Sequence, residues 1–167
     1  MNRTWCTAWL LLLAVAIFLI AGCASSTRAR GTIDPDISRW QGRLALKVHS
    51  EPVQAFSANF DLKGDAQAGS LVFFTPIGST AARLQWDASG AQLQTSGEPL
   101  QFETLDALTR HATGAPLPIG SMFAWLQGLK PDTPGWQVDL RNLPDGRLSA
   151  QRLLPETPVE LKIILDR

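Results

Sequence analysis

Two cysteines, two histidines and a scatter of carboxylates are the side chains with which this chain could do chemistry. Cys6 lies inside an apolar run, and Cys23 ends that run directly after the small residues Ala21 and Gly22. A thiol in that setting can take a lipid as a thioether, and small neighbours let a peptidase reach the bond in front of it. Neither cysteine has a second one at CxxC spacing, and Cys23 alone could form no internal disulfide. His49 and His111 have no Asp, Cys or second His at ligand spacing, so both read as solvated surface. Asp61, Asp65, Asp87, Glu103 and Asp106 fall where turns and helix starts are expected, and capping accounts for them. No GxSxG elbow, HExxH pair, Walker loop or Rossmann glycine pattern occurs. These residues predict no catalytic site, no metal site and no cofactor. A hydrolase would need a cluster that the sequence does not foreshadow.

Cys23 has a context. Arg3 supplies a positive charge, and from Ala8 to Ala21 the chain carries none, as in a secretion signal. The apolar stretch is about 18 residues, the lower edge of what spans a bilayer, so length alone does not separate signal from anchor. Ile20-Ala21-Gly22-Cys23 does, because it resembles the lipobox at which bacterial lipoprotein precursors are acylated and cut. The expected division is a signal peptide over 1–22, an acylated N-terminus and flexible tether over 23–35, and one domain over 36–167. Acylation at Cys23 would give more than the two chains that firm attachment requires. Ala24 stands where an aspartate would, by resemblance to enterobacterial sorting rules, retain the protein in the inner membrane, and so implies the outer membrane.

The formal net charge is zero and 45% of residues are hydrophobic. A nucleic-acid partner would need a basic stripe, and electrostatic lipid attachment clustered Lys and Arg; neither is expected. Roughly 145 residues beyond the signal suit one compact domain.

From Gly42 onward the hydrophobic period is two. Leu44, Leu46 and Val48 alternate with Arg43, Lys47 and His49, and Phe56, Ala58, Phe60 and Leu62 with Ser57, Asn59 and Asp61. Leu71 and Phe73, then Ala82, Leu84 and Trp86, then Leu93, continue the pattern between Gly and Asp turn signals. Asp34 to Arg39 suits one helical turn before it. Thr104 to Thr113 reads as a helix, and Ile119, Met122, Phe123 and Leu126 form the apolar stripe of a second one between Pro118 and Gly128. Strands resume around Trp136–Leu140, Leu148–Ala150 and Val159–Leu165. The expected fold is α+β: a meandering, strongly curved antiparallel sheet with two helices inserted after the fifth or sixth strand.

Large apolar side chains are abundant on that sheet: Leu44, Leu46, Phe56, Phe60, Phe73, Phe74 and Trp86. They could form an ordinary core or line a cavity for an acyl chain; composition does not separate the two. Thr75-Pro76-Ile77-Gly78-Ser79-Thr80 joins two strands and puts Ile77 at its tip. Ile77 either folds back over a tight turn, with Gly78 at positive φ, or protrudes as an apolar finger. Burying one Ile is worth about 1.5–3 kcal/mol, too little to anchor a protein but enough to bias a transfer step.

Four segments in order carry a resemblance: Trp40-Gln41-Gly42-Arg43-Leu44-Ala45, the Thr75–Thr80 loop, Gly114-Ala115-Pro116-Leu117-Pro118, and Trp125-Leu126-Gln127-Gly128. With the lipobox before them they resemble the LolB family of outer-membrane lipoprotein receptors, which usually has Leu at the position of Ile77. The resemblance implies an incomplete β-barrel with helices covering an apolar cavity, for which Leu44, Leu46, Phe56, Phe60, Phe73, Trp86, Met122 and Leu126 are the lining candidates. It implies membrane insertion through Pro76, Ile77 and Gly78. Its implied partners are a soluble periplasmic carrier (LolA-like), acylated lipoprotein cargo and outer-membrane lipid, with the receptor itself a monomer on the periplasmic face. Direction would come from affinity, about 1.4 kcal/mol for each tenfold gain over the carrier. Arg43, Lys47 and Arg83 are candidate cationic contacts, or simply a solvated sheet face. The competing reading is a scaffold lipoprotein of the envelope whose apolar residues form only a closed core.

Overall fold

Leu44, Leu46 and Val48 are buried while Arg43 and Lys47 are exposed, the signature of a strand with one face on a core. This is β1 (Arg39–Val48) of a computed structural model that describes residues 38–153 and 157–166. The signal, Cys23 and the tether lie outside those residues. So does most of the expected helical turn over 34–39, and Arg39 is already the first residue of β1. The described residues belong to one compact unit.

The chain then forms β2 (Gln54–Gly64), β3 (Gly69–Phe74), β4 (Thr80–Asp87), β5 (Gly90–Gln94) and β6 (Leu100–Phe102) as an antiparallel meander. Two helices follow, α1 (Leu105–Thr113) and α2 (Ile119–Leu126), and then β7 (Trp136–Asp139), β8 (Arg147–Arg152) and β9 (Val159–Leu165). The sheet order is β6-β5-β4-β3-β2-β1-β9-β8-β7, one open, curved antiparallel sheet. The helices come after the sixth strand. The α+β expectation holds, and the seam between β1 and β9 joins the six-stranded part to the three-stranded part.

Register puts one set of side chains on the inner face. Leu44 is opposite Ala58 and Ile163, Phe60 opposite Phe73, and Leu84 opposite Leu71 and Leu93. The helices close over this face. Thr104 caps α1 by accepting a hydrogen bond from the Ala107 amide at 3.1 Å, and Gly114 ends it at φ 80°. Leu108 of α1 and Ile119, Met122, Phe123, Trp125 and Leu126 of α2 are buried in the same core. Phe123 packs edge-on against both Trp40 at 5.5 Å and Trp86 at 6.1 Å, between ring centroids. Among the described residues no helix is long and apolar enough to cross a membrane.

Asp61 corrects a sequence reading. It is not a turn cap but the middle of β2, buried on the outer face. Arg39 donates to it through Nε at 3.0 Å and Nη2 at 2.8 Å, and Lys63 Nζ lies 3.4 Å away. Burial alone would raise this carboxyl, but the Arg39 hydrogen bonds and the Lys63 and Arg39 charges outweigh it and hold the group below the usual carboxylate range. A carboxyl depressed in the folded state stabilises above its unfolded value, and that contribution disappears as pH falls through the folded value. Asp61→Asn should therefore lower the urea midpoint at pH 7 and weaken its fall as pH drops below about 4. Equal acid dependence in the two proteins would show that the pair contributes nothing. Asp65 and Asp87 do act as turn acceptors, for the Gln67, Ala68 and Ser89 amides.

Candidate functional site

Thr75–Ser79 is a closed, hydrogen-bonded turn between β3 and β4. The Thr75 amide donates to Ser79 O at 2.8 Å, the Gly78 amide donates to Thr75 O at 2.9 Å, and the two hydroxyls meet at 2.7 Å. Gly78 sits at φ 85°, and a Cβ added there would meet nothing within 4 Å. Pro76 restricts the approach. The outcome for Ile77 is decisive: its side chain is 90% exposed and does not fold back onto the domain.

Ile77 has company. In this antiparallel order the β1–β2, β3–β4, β5–β6 and β8–β9 connections leave the sheet on one side. Among the described residues, five of the seven exposed large hydrophobics lie in those connections or at the strand ends beside them: Val53, Phe56, Ile77, Leu100 and Leu153. Phe56 and Leu100 belong to the inner face, since Phe56 pairs with Leu46 and Leu100 with Leu93. The inner apolar surface thus runs out to a partly uncovered margin. Val53, Leu100 and Leu153 were not singled out from sequence; the available signal was an apolar residue inside a Pro- or Gly-rich connection.

Of the eight cavity candidates, Leu44, Leu46, Phe60, Phe73, Trp86, Met122 and Leu126 come together as buried members of one core. Phe56 does not join them fully: it is 38% exposed, with its ring edge-on to Phe73 at 5.1 Å. Side chains of α2 pack into this set, with Phe123 against Trp40 and Trp86. A hollow of about 440 Å³ lies on the outer face over β7–β9, and its walls include Gln137, Asp139, Ser149, Gln151, Glu160 and Lys162. Those polar walls do not suit an acyl chain.

Charge is sparse inside. Arg43, Lys47 and Arg83 are exposed, and their register puts them on the outer face, away from the apolar interior. Arg152, which sequence reasoning passed over, closes the inward row Leu148-Ala150-Arg152 of β8 and is buried. Its Nε and Nη2 donate to Thr157 O at 3.2 and 2.9 Å, and its guanidinium carbon lies 5.9 Å from the Trp136 ring centroid. His111 is exposed against Phe102, and His49 pairs with Glu160 at 2.8 Å, holding that carboxyl below its ordinary value. Among the described residues no cluster of three or more His, Cys, Asp or Glu could hold a metal ion.

The sequence that builds this face and its loop has relatives elsewhere. Residues 38–154 match the family model described as Outer membrane lipoprotein LolB. Proteins named Outer-membrane lipoprotein LolB from Bordetella petrii and Chromobacterium violaceum are each 31% identical to it, over 96% and 84% of this chain and 95% and 77% of their own lengths. One of the same name from an Azoarcus species is 29% identical over 93% of this chain and 92% of its own. The family model spans more than half of the sequence and a relative aligns almost end to end, so the chain belongs to the LolB family.

Proposed function

We propose that this chain is an outer-membrane receptor that accepts acylated lipoproteins from a soluble periplasmic carrier and releases them into the outer membrane. It would be held on the periplasmic face by lipid on Cys23. The observation that carries the reading is the exposed Ile77 tip on the same side as the uncovered margin of the apolar inner face. Names of the relatives add the outer membrane and the lipoprotein class. Transfer needs no bond made or broken: an acyl chain leaves one apolar surface for another, and each tenfold preference takes about 1.4 kcal/mol. The buried set around Phe60, Phe73, Trp86 and Met122 would take the chain, with α1 and α2 yielding as it enters. Pro76, Ile77 and Gly78 would touch the membrane at delivery.

Residues 24–167, produced without the lipid, should strip an acylated cargo from its purified carrier complex, read as co-elution of cargo with the domain on gel filtration. Cargo that stays on the carrier would overturn the reading. The clustering of these residues in one buried core favours one rival, a scaffold lipoprotein whose apolar residues serve only as a core; retained cargo decides for it.

A further inference from the structure

Trp125 has a side-chain polar group without a partner. It is 0% exposed, and its indole Nε1 is the buried side-chain donor for which the described residues offer no acceptor. Among the described residues the other buried side-chain polar groups are served. Thr109 Oγ1 donates to Asp106 O and accepts from the Leu117 amide, and Trp86 Nε1 donates to Asp65 O at 3.0 Å. An indole N–H stripped of water without an acceptor carries a desolvation cost that a phenyl ring in the same place avoids. A donor kept at such a cost calls for an acceptor that arrives.

The neighbours indicate which acceptor. The Trp125 ring lies 6.1 Å from that of Trp136, which is opposite Arg152 in the β7–β8 register. That row continues through Val159 to Val48, the last residue of β1, and so to the side where the turns leave the sheet. An amphiphile entering tail-first from that side, with its hydrocarbon among Phe60, Phe73 and Met122, would bring its first polar atom toward this row. A carbonyl oxygen is an acceptor without a charge to bury and suits a neutral N–H in an apolar setting.

Resting on the acyl-binding reading above, we propose that Trp125 Nε1 is the hydrogen-bond donor for the carbonyl of a bound acyl linkage, ester or amide, and fixes how deep the chain sits. Affinity for hydrocarbon alone would then come from the core, and recognition of an acylated molecule from this one atom.

The test removes the donor without removing the ring: Trp125 is replaced by 3-benzothienylalanine, which has sulfur in place of the N–H. Residues 24–167 in both forms are equilibrated with decane, methyl octanoate or N-methyloctanamide, and bound ligand is measured by gas chromatography. The native domain should favour the carbonyl compounds over decane by roughly three- to tenfold more than the variant does, the equivalent of one net hydrogen bond. The Trp125 indole proton resonance should move with those ligands and not with decane. A larger gain for the amide assigns the donor to an N-acyl group, and a larger gain for the ester to a glycerol ester. The same carbonyl preference in both forms, with an unmoved resonance, would overturn the donor role while leaving chain binding intact. Failure of both forms to bind any of the three would remove the acyl-binding reading, and this assignment with it.

Discussion

Gly42→Ala should destabilise the domain by at least about 3 kcal/mol, well beyond an ordinary small-to-large change. Gly42 lies in β1 between Phe60 of β2 and Leu165 of β9. A Cβ built on it would stand 2.1 Å from Ile164 O and 2.8 Å from Leu165 Cα. Both are backbone atoms of a paired strand, so no side chain can rotate away. Relief requires β9 to move off β1, and that seam alone joins the two parts of the sheet order. It also carries the pairing of Leu44 with Ile163 and Leu46 with Leu161 in the core. Urea unfolding followed by tryptophan fluorescence measures the loss. Gly78→Ala is the control: its cost should stay near about 1–2 kcal/mol, the left-handed backbone term by itself, because no atom is within 4 Å. Equal losses at the two positions would show that the β1–β9 approach is softer than its geometry implies.

Ile77→Glu should leave folding and cargo uptake unchanged and cut delivery to membranes roughly a hundredfold. The side chain is 90% exposed, so the substitution removes no packing, and a stability change within about 0.5 kcal/mol is expected. What it removes is the gain of about 1.5–3 kcal/mol from placing an Ile among acyl chains, and it adds a charge that resists the same move. A swing of about 3 kcal/mol is about two powers of ten. Cargo uptake from the carrier and release into phospholipid vesicles, followed separately, isolate the step. Ile77→Leu should deliver normally, since it keeps the apolar tip. Delivery by Ile77→Glu at the native rate would take the membrane role away from this loop.

Much of the frame could be read from local pattern. Period-two runs such as Leu44-Leu46-Val48 became strands with the expected face inward, and the Ile119-Met122-Phe123-Leu126 stripe became the buried side of α2. Pairing of the first strand with the last could not be read, because it joins Leu44 to Ile163 across almost the whole domain and leaves no local trace. β6 escaped because Leu100-Gln101-Phe102 is too short for a period to show. Asp61 was misread because capping is the common reason for an aspartate, and its guanidinium partner is 22 residues away. In the loop, the tip residue was legible and its direction was not: a tight turn with Gly78 is compatible with either outcome for Ile77, and only the tertiary contacts decide. Trp125 entered the sequence reading only within the Trp125-Leu126-Gln127-Gly128 segment, and whether its N–H found an acceptor depends on every group around it.

Among the described residues the open sheet ends on β6 and β7, and each edge is guarded. Main-chain amides and carbonyls along an unpaired strand are a template on which another polypeptide can polymerise. Here the outermost strands are also the shortest, three residues in β6 and four in β7, whereas β1 and β2 at ten and eleven lie well inside. Pro99 stands immediately before β6, and Pro134-Gly135 immediately before β7. A proline has no amide hydrogen to offer a newcomer, so neither edge can lengthen in that direction. A half-barrel can thus stay unclosed in a crowded compartment without seeding fibrils or swapping strands with its neighbours.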